Sequence, residues 1–160
     1  MRSYFMSIDS PVGRIALTSN DTHLKSVAFS EEEVEESDNL PEILLQTAAQ
    51  LKEYFVGTRT AFELQIDPDG SDFQKKVWQR LLQVPYGTTK SYLEIAIELG
   101  SATNTRAVGT ANGKNPIPII VPCHRIIGHD GKLVGYAGGI DRKRFLLLHE
   151  AEHSKKDLLF

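Results

Sequence analysis

The segment Ser91–Gly113, with the sequence SYLEIAIELGSATNTRAVGTANG, contains two short helical patterns separated by a glycine and several polar residues. It opens on a capping box, Ser91-x-x-Glu94, whose two side chains bond the free backbone amides of a first helical turn. Apolar residues follow until Gly100, a residue type that commonly ends a helix. A second run, from Thr103 to Gly113, is rich in small residues. Two short helices joined by a tight glycine-containing turn predict helix-turn-helix geometry.

Further helices are predicted on both sides of this segment. Ser71-x-x-Gln74 is a second capping box, and the helix that it begins ends before Pro85. The last helix of the chain is expected over about residues 141–152. The apolar residues expected on the buried faces of these two helices are Phe73, Val77, Leu81 and Leu82 in the first and Phe145, Leu146 and Leu148 in the last.

The stretch between the helix-turn-helix and the last helix contains Asn115-Pro116-x-Pro118, which cannot continue a helix. We therefore expect Ile119-Ile120-Val121 to run extended into Cys123. Adjacent residues of an extended chain point to opposite sides, so this prediction separates the side chain of Cys123 from that of its neighbour His124.

The first seventy residues have a different pattern, in which apolar and polar residues alternate between turn signals. This alternation predicts a three-stranded antiparallel meander within residues 4–29. Residues 41–56 then follow a helical period that stops at Gly57, and Phe62–Ile66 resembles one more strand. The turn-rich connector Asp67-Pro68-Asp69-Gly70 marks the expected boundary between two domains.

These patterns together predict an α+β protein with two domains. Residues 1–70 form a small amino-terminal domain with an antiparallel sheet and one helix. Residues 71–160 form a helical domain that carries the helix-turn-helix and is winged-helix-like.

Composition places the chain among ordinary globular proteins, since 41% of its residues are hydrophobic and 24% are charged. No apolar run approaches the roughly 20 residues that a membrane-spanning helix needs. The first ten residues contain one arginine and no apolar core of the length found in signal peptides. We therefore expect a monomeric protein without membrane association, located in the cytoplasm, or in the nucleus if the source is eukaryotic.

Charge is distributed unevenly between the two halves. Residues 1–70 hold five basic and thirteen acidic residues, a net charge of -8, whereas residues 71–160 hold thirteen basic and eight acidic residues, a net charge of +5. A positive second half indicates contact with a polyanion such as DNA. The alternative is that the acidic run Glu31–Asp38 is a solvated loop that skews the count.

Cys123 is the only cysteine, which excludes an internal disulfide and a structural zinc site built on several thiolates. A thiol with an ordinary pKa of about 8.5 is mostly protonated at neutral pH and needs a base or a cation to become a nucleophile. His124 and Arg125 follow directly, and a bridging water can connect the imidazole to the sulfur. Glu150 is the carboxylate that we expect to orient His124, with His149 as the rival. The alternative interpretation of Cys123 is a buried inert thiol.

The residues around this cysteine resemble a known family. Ile119-Ile120-Val121-Pro122-Cys123-His124-Arg125-Ile126-Ile127, preceded by Arg106-Ala107-Val108-Gly109 and Asn115-Pro116, is similar to the active-site region of the methylated-DNA-protein-cysteine methyltransferases. The similarity continues through Gly135-Tyr136-Ala137-Gly138-Gly139 to the closing Leu147-Leu148-His149-Glu150. It covers most of the second half in order, while the first half matches only in its pattern of strands and a helix, which the resemblance implies is ribonuclease-H-like.

The resemblance implies a DNA repair reaction that the protein performs once. Cys123 would take an alkyl group from O6 of guanine, or from O4 of thymine, and keep it as a thioether. His124 would act as the base through water, and Glu150 would orient His124. Asn115 would hold the active-site strand against the recognition helix. The donor is the DNA itself, so no cofactor and no metal is implied.

The resemblance also implies how the lesion is reached. The helix within residues 103–113 would lie in the minor groove of double-stranded DNA, with Arg106 filling the gap left by a flipped nucleotide and Tyr92 helping to rotate it. Without the resemblance, Arg106 also fits a phosphate contact and Tyr92 a packing residue. The remaining residues assigned to DNA or substrate are Ala107, Ala111, Ile126, Ala137 and Gly138.

Two other functions remain open on the residues alone. A cysteine hydrolase can use Cys123, His124 and Glu150 as a triad for acyl transfer. A non-catalytic helix-turn-helix protein would bind DNA with an incidental cysteine. The hydrolase hypothesis does not explain Arg106. The hypothesis of a non-catalytic DNA-binding protein does not explain the cysteine and its neighbours.

Overall fold

The computed structural model describes the backbone of residues 2–158 and the side chains of residues 2–154. The chain divides into two compact units, one that ends at Asp69 and one that begins at Gly70. Within the described residues, none of the helices is both long enough and apolar enough to cross a membrane.

The first unit contains the predicted antiparallel meander. Its strands, in sheet order, are β1 (Tyr4–Ile8), β2 (Ile15–Ser19) and β3 (Leu24–Phe29). Met6 pairs with Leu17, and Leu17 pairs with Val27, so these three side chains point to the same face and are all buried. Alternation of apolar and polar residues thus gives the sheet one buried face, as the sequence predicts.

The helix α1 (Glu42–Val56) lies in the same unit as this sheet. It ends where predicted, because Gly57 adopts a left-handed conformation with φ of 88° that closes the last turn. The buried residues of α1 are Ile43, Leu44, Thr47, Leu51 and Tyr54.

The predicted strand at Phe62–Ile66 is wrong. Only Ile66 pairs with the sheet, through a parallel bridge to Leu24. The backbone of Glu63 bonds instead to the side chain of Gln50 on α1, which accepts from the Glu63 amide at 2.9 Å and donates to its carbonyl at 3.2 Å. A side chain therefore supplies the hydrogen bonds that a neighbouring strand would supply, and alternation in the sequence does not reveal this.

The second unit is helical with a small two-stranded sheet. Its elements are α2 (Asp72–Leu81), β4 (Lys90–Ser91), α3 (Tyr92–Glu98), α4 (Thr105–Gly113), β5 (Ile126–Ile127) and α5 (Ile140–Leu158). Both predicted capping boxes are formed, at Ser71 and Ser91. A 3-10 turn, Ala102–Asn104, connects α3 to α4 and completes the helix-turn-helix.

The buried faces of α2 and α5 differ from the predicted ones. Leu82 follows the end of α2 and is exposed, while Trp78 is buried. In α5, Leu148 is 62% exposed, and the buried residues among those described are Lys143, Leu146, His149 and Glu150, which recur at helical spacing. Of the three apolar residues predicted on the buried face of α5, only Leu146 is buried, and the other side chains buried in the described part of this helix are polar.

The chain before Cys123 is also not extended. Ile119 and Ile120 form a turn in which Ile119 has a φ of 75°, and the Val121 amide donates to the Ile117 carbonyl at 3.0 Å. Positive φ is unusual for a β-branched residue, so the surrounding contacts must hold it there. Cys123–Arg125 then form a single 3-10 turn, after which β5 pairs in parallel with β4.

Candidate active site

Cys123 begins this 3-10 turn and is only 4% exposed. Burial raises the pKa of its thiol to about 11, although the side chain of Asn115 and the charge of Lys143 both act to lower it. The sulfur is therefore protonated at neutral pH, and it becomes a nucleophile only when a base removes its proton.

Asn115 fixes the loop that leads to the cysteine. Its Nδ2 donates to the carbonyl of Val121 at 2.9 Å, and its Oδ1 accepts from the amide of Ile117 at 3.0 Å. The side chain is buried, so both bonds are shielded from water. Asn115 thereby closes the turn at Ile119, and its expected role of holding this segment against the recognition helix stays a prediction.

His124 is fully buried, and its Nε2 lies 2.6 Å from Oε2 of Glu150. Burial lowers the pKa of His124 below its ordinary value and outweighs the opposing effect of Glu150. The imidazole is therefore neutral at pH 7, with the Nε2 proton donated to the carboxylate. Its Nδ1 is an acceptor that has no hydrogen-bond partner among the described residues. A neutral ring with an unused nitrogen is a competent base.

Glu150 is held by more than the histidine. Arg125 donates to both of its oxygens, from Nε at 2.8 Å and Nη2 at 3.1 Å, and the Gly87 amide donates at 3.2 Å. Burial by itself raises the pKa of Glu150, but the bonds and charges of His124 and Arg125 outweigh burial and hold this pKa well below its usual range. The carboxylate is therefore ionised, and Arg125 neutralises it.

Among the described residues, no cluster of three or more His, Cys, Asp and Glu side chains could hold a metal ion.

His149 does not take the place of Glu150 beside His124. Its ring stacks on Phe145, with centroids 6.0 Å apart, and lies 4.3 Å from the ring of His153. The structure thus joins Glu150 on α5 to His124 on the 3-10 turn that Cys123 begins.

A cavity of about 620 Å³ lies in the second unit, beside the amino-terminal ends of α3 and α4. It is lined by Tyr92, which is expected to help rotate the nucleotide, and by Arg106, which is expected to fill the gap that the nucleotide leaves. The hydroxyl of Tyr92 donates to the Val134 carbonyl at 2.9 Å, and burial raises the pKa of this tyrosine to about 12. The other residues around the cavity are Thr105, Gly109, Thr110, Val134 and Gly135.

Lys143 is a residue of the site that the sequence analysis missed. Its fully buried Nζ donates to the carbonyls of Ile126 at 2.6 Å and Val134 at 2.9 Å, and contacts the Tyr92 hydroxyl at 3.4 Å. Burial lowers its pKa to about 8, and a thiolate at Cys123 would raise it again. Its spacing from Leu146 and Glu150 was the available signal, since all three lie on one face of α5.

The other predicted residues lie in different environments. Ala107 and Ala137 are exposed, whereas Ile126 is buried with its carbonyl bonded to Lys143. Ala111 is also buried, and its carbonyl accepts from the indole of Trp78 at 2.9 Å, so it does not share a surface with Arg106. The carbonyl of Gly138 accepts from Nη1 of Arg142 at 3.1 Å.

Comparison with known proteins gives matches over both units. The family model described as 6-O-methylguanine DNA methyltransferase, DNA binding domain, matches residues 72–152, and the model of the ribonuclease-like domain of the same proteins matches residues 3–68. The chain is 46% identical over 149 residues to the methylated-DNA–protein-cysteine methyltransferase of Methanosarcina barkeri, covering 90% of this chain and 94% of that relative.

Solved structures give the same result. The crystal structure of the Mycobacterium tuberculosis O6-methylguanine methyltransferase is 45% identical, with a TM-score of 0.85, and the match covers 95% of this chain and 94% of that one. The crystal structure of M. tuberculosis OGT in complex with DNA is 45% identical, with a TM-score of 0.84 and coverage of 93% of each chain.

Proposed function

The chain belongs to the 6-O-methylguanine DNA methyltransferase family, and we infer that it repairs DNA by moving an alkyl group from O6 of guanine to one of its own cysteines. The observation that carries the assignment of the acceptor is that the chain contains a single cysteine, Cys123. In a family whose members are named for alkylating a protein cysteine, that residue is the acceptor.

The geometry around Cys123 supports a specific sequence of proton and bond changes. Nδ1 of His124 takes the thiol proton, directly or through one water, and Glu150 stabilises the imidazolium that forms. The sulfur then attacks the alkyl carbon and forms a C–S bond, while the bond from that carbon to O6 breaks and its electron pair passes to the guanine. The proton held by His124 returns to the departing base.

The product explains why the protein acts once. A thioether has no good leaving group, and no second cysteine is present to resolve it. Each chain is therefore consumed by one lesion, and the DNA supplies the alkyl group without a cofactor.

The cavity beside α3 and α4 supports extrusion of the damaged nucleotide. The O6 substituent is enclosed in the base stack, so the nucleotide must leave the duplex before it can meet a sulfur that is almost fully buried. Arg106 is exposed on α4 and lines the cavity together with Tyr92, which suits insertion into the duplex and contact with the extruded base. We place α4 in the minor groove, where its exposed small residue Ala107 permits close approach.

The decisive experiment is intact-protein mass spectrometry after mixing with duplex DNA that carries O6-methylguanine. One methyl group per chain is expected, located on Cys123 by peptide mapping, and the Cys123→Ala variant should carry none. Turnover of an ester with the lesion left unchanged would instead indicate the hydrolase.

A further inference from the structure

Trp78 connects α2 to the carboxyl-terminal end of α4. Its side chain is 2% exposed, and its indole N–H donates to the carbonyl of Ala111 at 2.9 Å. Ala111 lies in the last turn of α4, where carbonyls lack the amide partners that the interior of a helix supplies. The amide of Lys114 also reaches this carbonyl, at 3.2 Å, so the indole supplies the shorter bond. A side chain of α2 thus caps the helix that carries Arg106.

The sequence of α4 favours a helix only weakly. Its nine residues include two glycines, and three more are β-branched, namely Thr105, Val108 and Thr110. At its start, the side chain of Asn104 makes no capping hydrogen bond to the described residues. A helix of this length and composition is not stable on its own. The position of α4 is therefore set by the side chains that contact it.

Gly70 lies against the indole ring of Trp78. A Cβ added to this glycine would lie 2.5 Å from Cη2 and 2.6 Å from Cζ3 of the ring. Carbon atoms that are not bonded to each other pack at about 3.5–4.0 Å, so a side chain at position 70 does not fit while the ring keeps its place. The ring is therefore held by the backbone at Gly70 and by the hydrogen bond to Ala111.

The next residue of α4, Asn112, contacts the alkyl acceptor. Its Nδ2 donates to the carbonyl of Cys123 at 3.3 Å. The end of α4 is therefore bonded to α2 through Ala111 and to the acceptor turn through Asn112. Loss of the bond to α2 leaves the other in place, and Asn115 still holds the loop before Cys123. A change at Trp78 should therefore alter how α4 meets DNA more than it alters the surroundings of the sulfur.

Resting on the proposed function, we propose that Trp78 is a positioning residue for DNA engagement, which acts through Ala111 on α4 and thereby sets the place of Arg106. Gly70 contributes because its missing side chain leaves room for the ring. Insertion of Arg106 and delivery of the lesion to Cys123 require a fixed relation between the two residues. A helix that is free to shift must first be ordered, which weakens binding of the duplex. A base that is already free does not need this alignment.

The test compares methyl transfer from O6-methylguanine in a duplex with transfer from the free O6-methylguanine base. Trp78→Phe keeps an aromatic ring and removes the N–H donor. The ratio of the duplex to the free-base second-order rate constant should fall by about threefold to tenfold, the size of one buried hydrogen bond. The fall should appear as a higher duplex concentration for half-maximal rate, with the limiting rate retained. An unchanged ratio, even with a lower free energy of unfolding in urea, would overturn the proposal.

Gly70→Ala is the second variant and keeps the test decisive if Trp78→Phe does not fold. The added methyl group should displace the indole, so the fluorescence of Trp78 should change and the ratio should fall as in Trp78→Phe. Changed fluorescence with an unchanged ratio would overturn the proposal, and unchanged fluorescence would overturn the role of Gly70. Gln79→Ala, an exposed position on α2, is the matched control and should keep the original ratio. Absence of transfer from both substrates in the unaltered protein would refute the proposed function instead.

Discussion

Nε2 of His124 and Oε2 of Glu150 are 2.6 Å apart, and both side chains are buried within a unit that otherwise presents many charges to solvent. This contact fixes the proton of the imidazole on Nε2 and leaves Nδ1 to act as the base. The charge on Glu150 is retained in the interior because Arg125 is bonded to the same carboxylate. Glu150 therefore determines the tautomer of His124 and is itself the negative charge that is buried at the site.

Replacing Glu150 should lower both the rate of methyl transfer and the stability of the protein. In Glu150→Gln, loss of the oriented base should slow methyl transfer by roughly 10²–10⁴-fold. Breaking a buried ion pair leaves Arg125 without compensation and should lower the free energy of unfolding by about 3–5 kcal/mol. Single-turnover transfer and urea denaturation measure the two effects. Glu152→Gln, an exposed neighbour on α5, should change neither.

The pH dependence of stability should report the same carboxylate. The pKa of Glu150 is well below its usual range in the folded protein, so its contribution is fully present above the unfolded pKa of about 4.3 and is lost as pH falls towards the folded value. Urea midpoints measured from neutral pH to about pH 3 should fall more steeply for the unaltered protein than for Glu150→Gln. Parallel curves would contradict this assignment.

Cys123 should react slowly with iodoacetamide in the absence of DNA. Because its thiol pKa is about 11, the rate at neutral pH should be far below that of an exposed cysteine and should rise up to about pH 11. Lys143→Met removes a cation that lowers this pKa, so the variant should react more slowly. The difference in rate between the unaltered protein and Lys143→Met should narrow above about pH 8, where Lys143 itself loses its proton. A rate that is independent of pH would contradict the raised thiol pKa.

Arg106 should be needed for fast methyl transfer from duplex DNA and not for the chemical step itself. Arg106→Ala should slow transfer from duplex O6-methylguanine by about 10- to 100-fold, because unstacking a base requires a few kcal/mol. Transfer from a free O6-alkylguanine base should be unchanged, since no nucleotide has to be extruded. Lys114→Ala removes the same charge at an exposed position after α4. Equal losses in the two variants would indicate that Arg106 only contacts phosphate.

Local patterns in the sequence are sufficient for much of this fold. The capping boxes at Ser71 and Ser91 and the glycine at position 57 act through atoms within a few residues, so helix starts and one helix end follow from the sequence. The meander follows from alternation in the same way. The residues nearest the cysteine also stand out, because His124 and Arg125 are its sequence neighbours.

Features set by specific side-chain contacts were not predictable in this way. The turn at Ile119 depends on the side chain of Asn115, and the non-strand conformation near Glu63 depends on Gln50 from α1. Lys143 was missed because lysine is rarely buried, which outweighed its helical spacing from Leu146 and Glu150. Only the backbone carbonyls that surround it, from Ile126 and Val134, explain its burial.

Trp78 can serve as an intrinsic fluorescent probe because of its position in the fold. It is the only tryptophan in the chain, it is buried in α2, and its N–H is bonded to the carbonyl of Ala111 on α4. Light emitted by this ring therefore depends on the helix that carries Arg106 and Asn112. Intrinsic fluorescence can follow engagement of DNA by α4 without an added dye, on the unmodified chain and in real time.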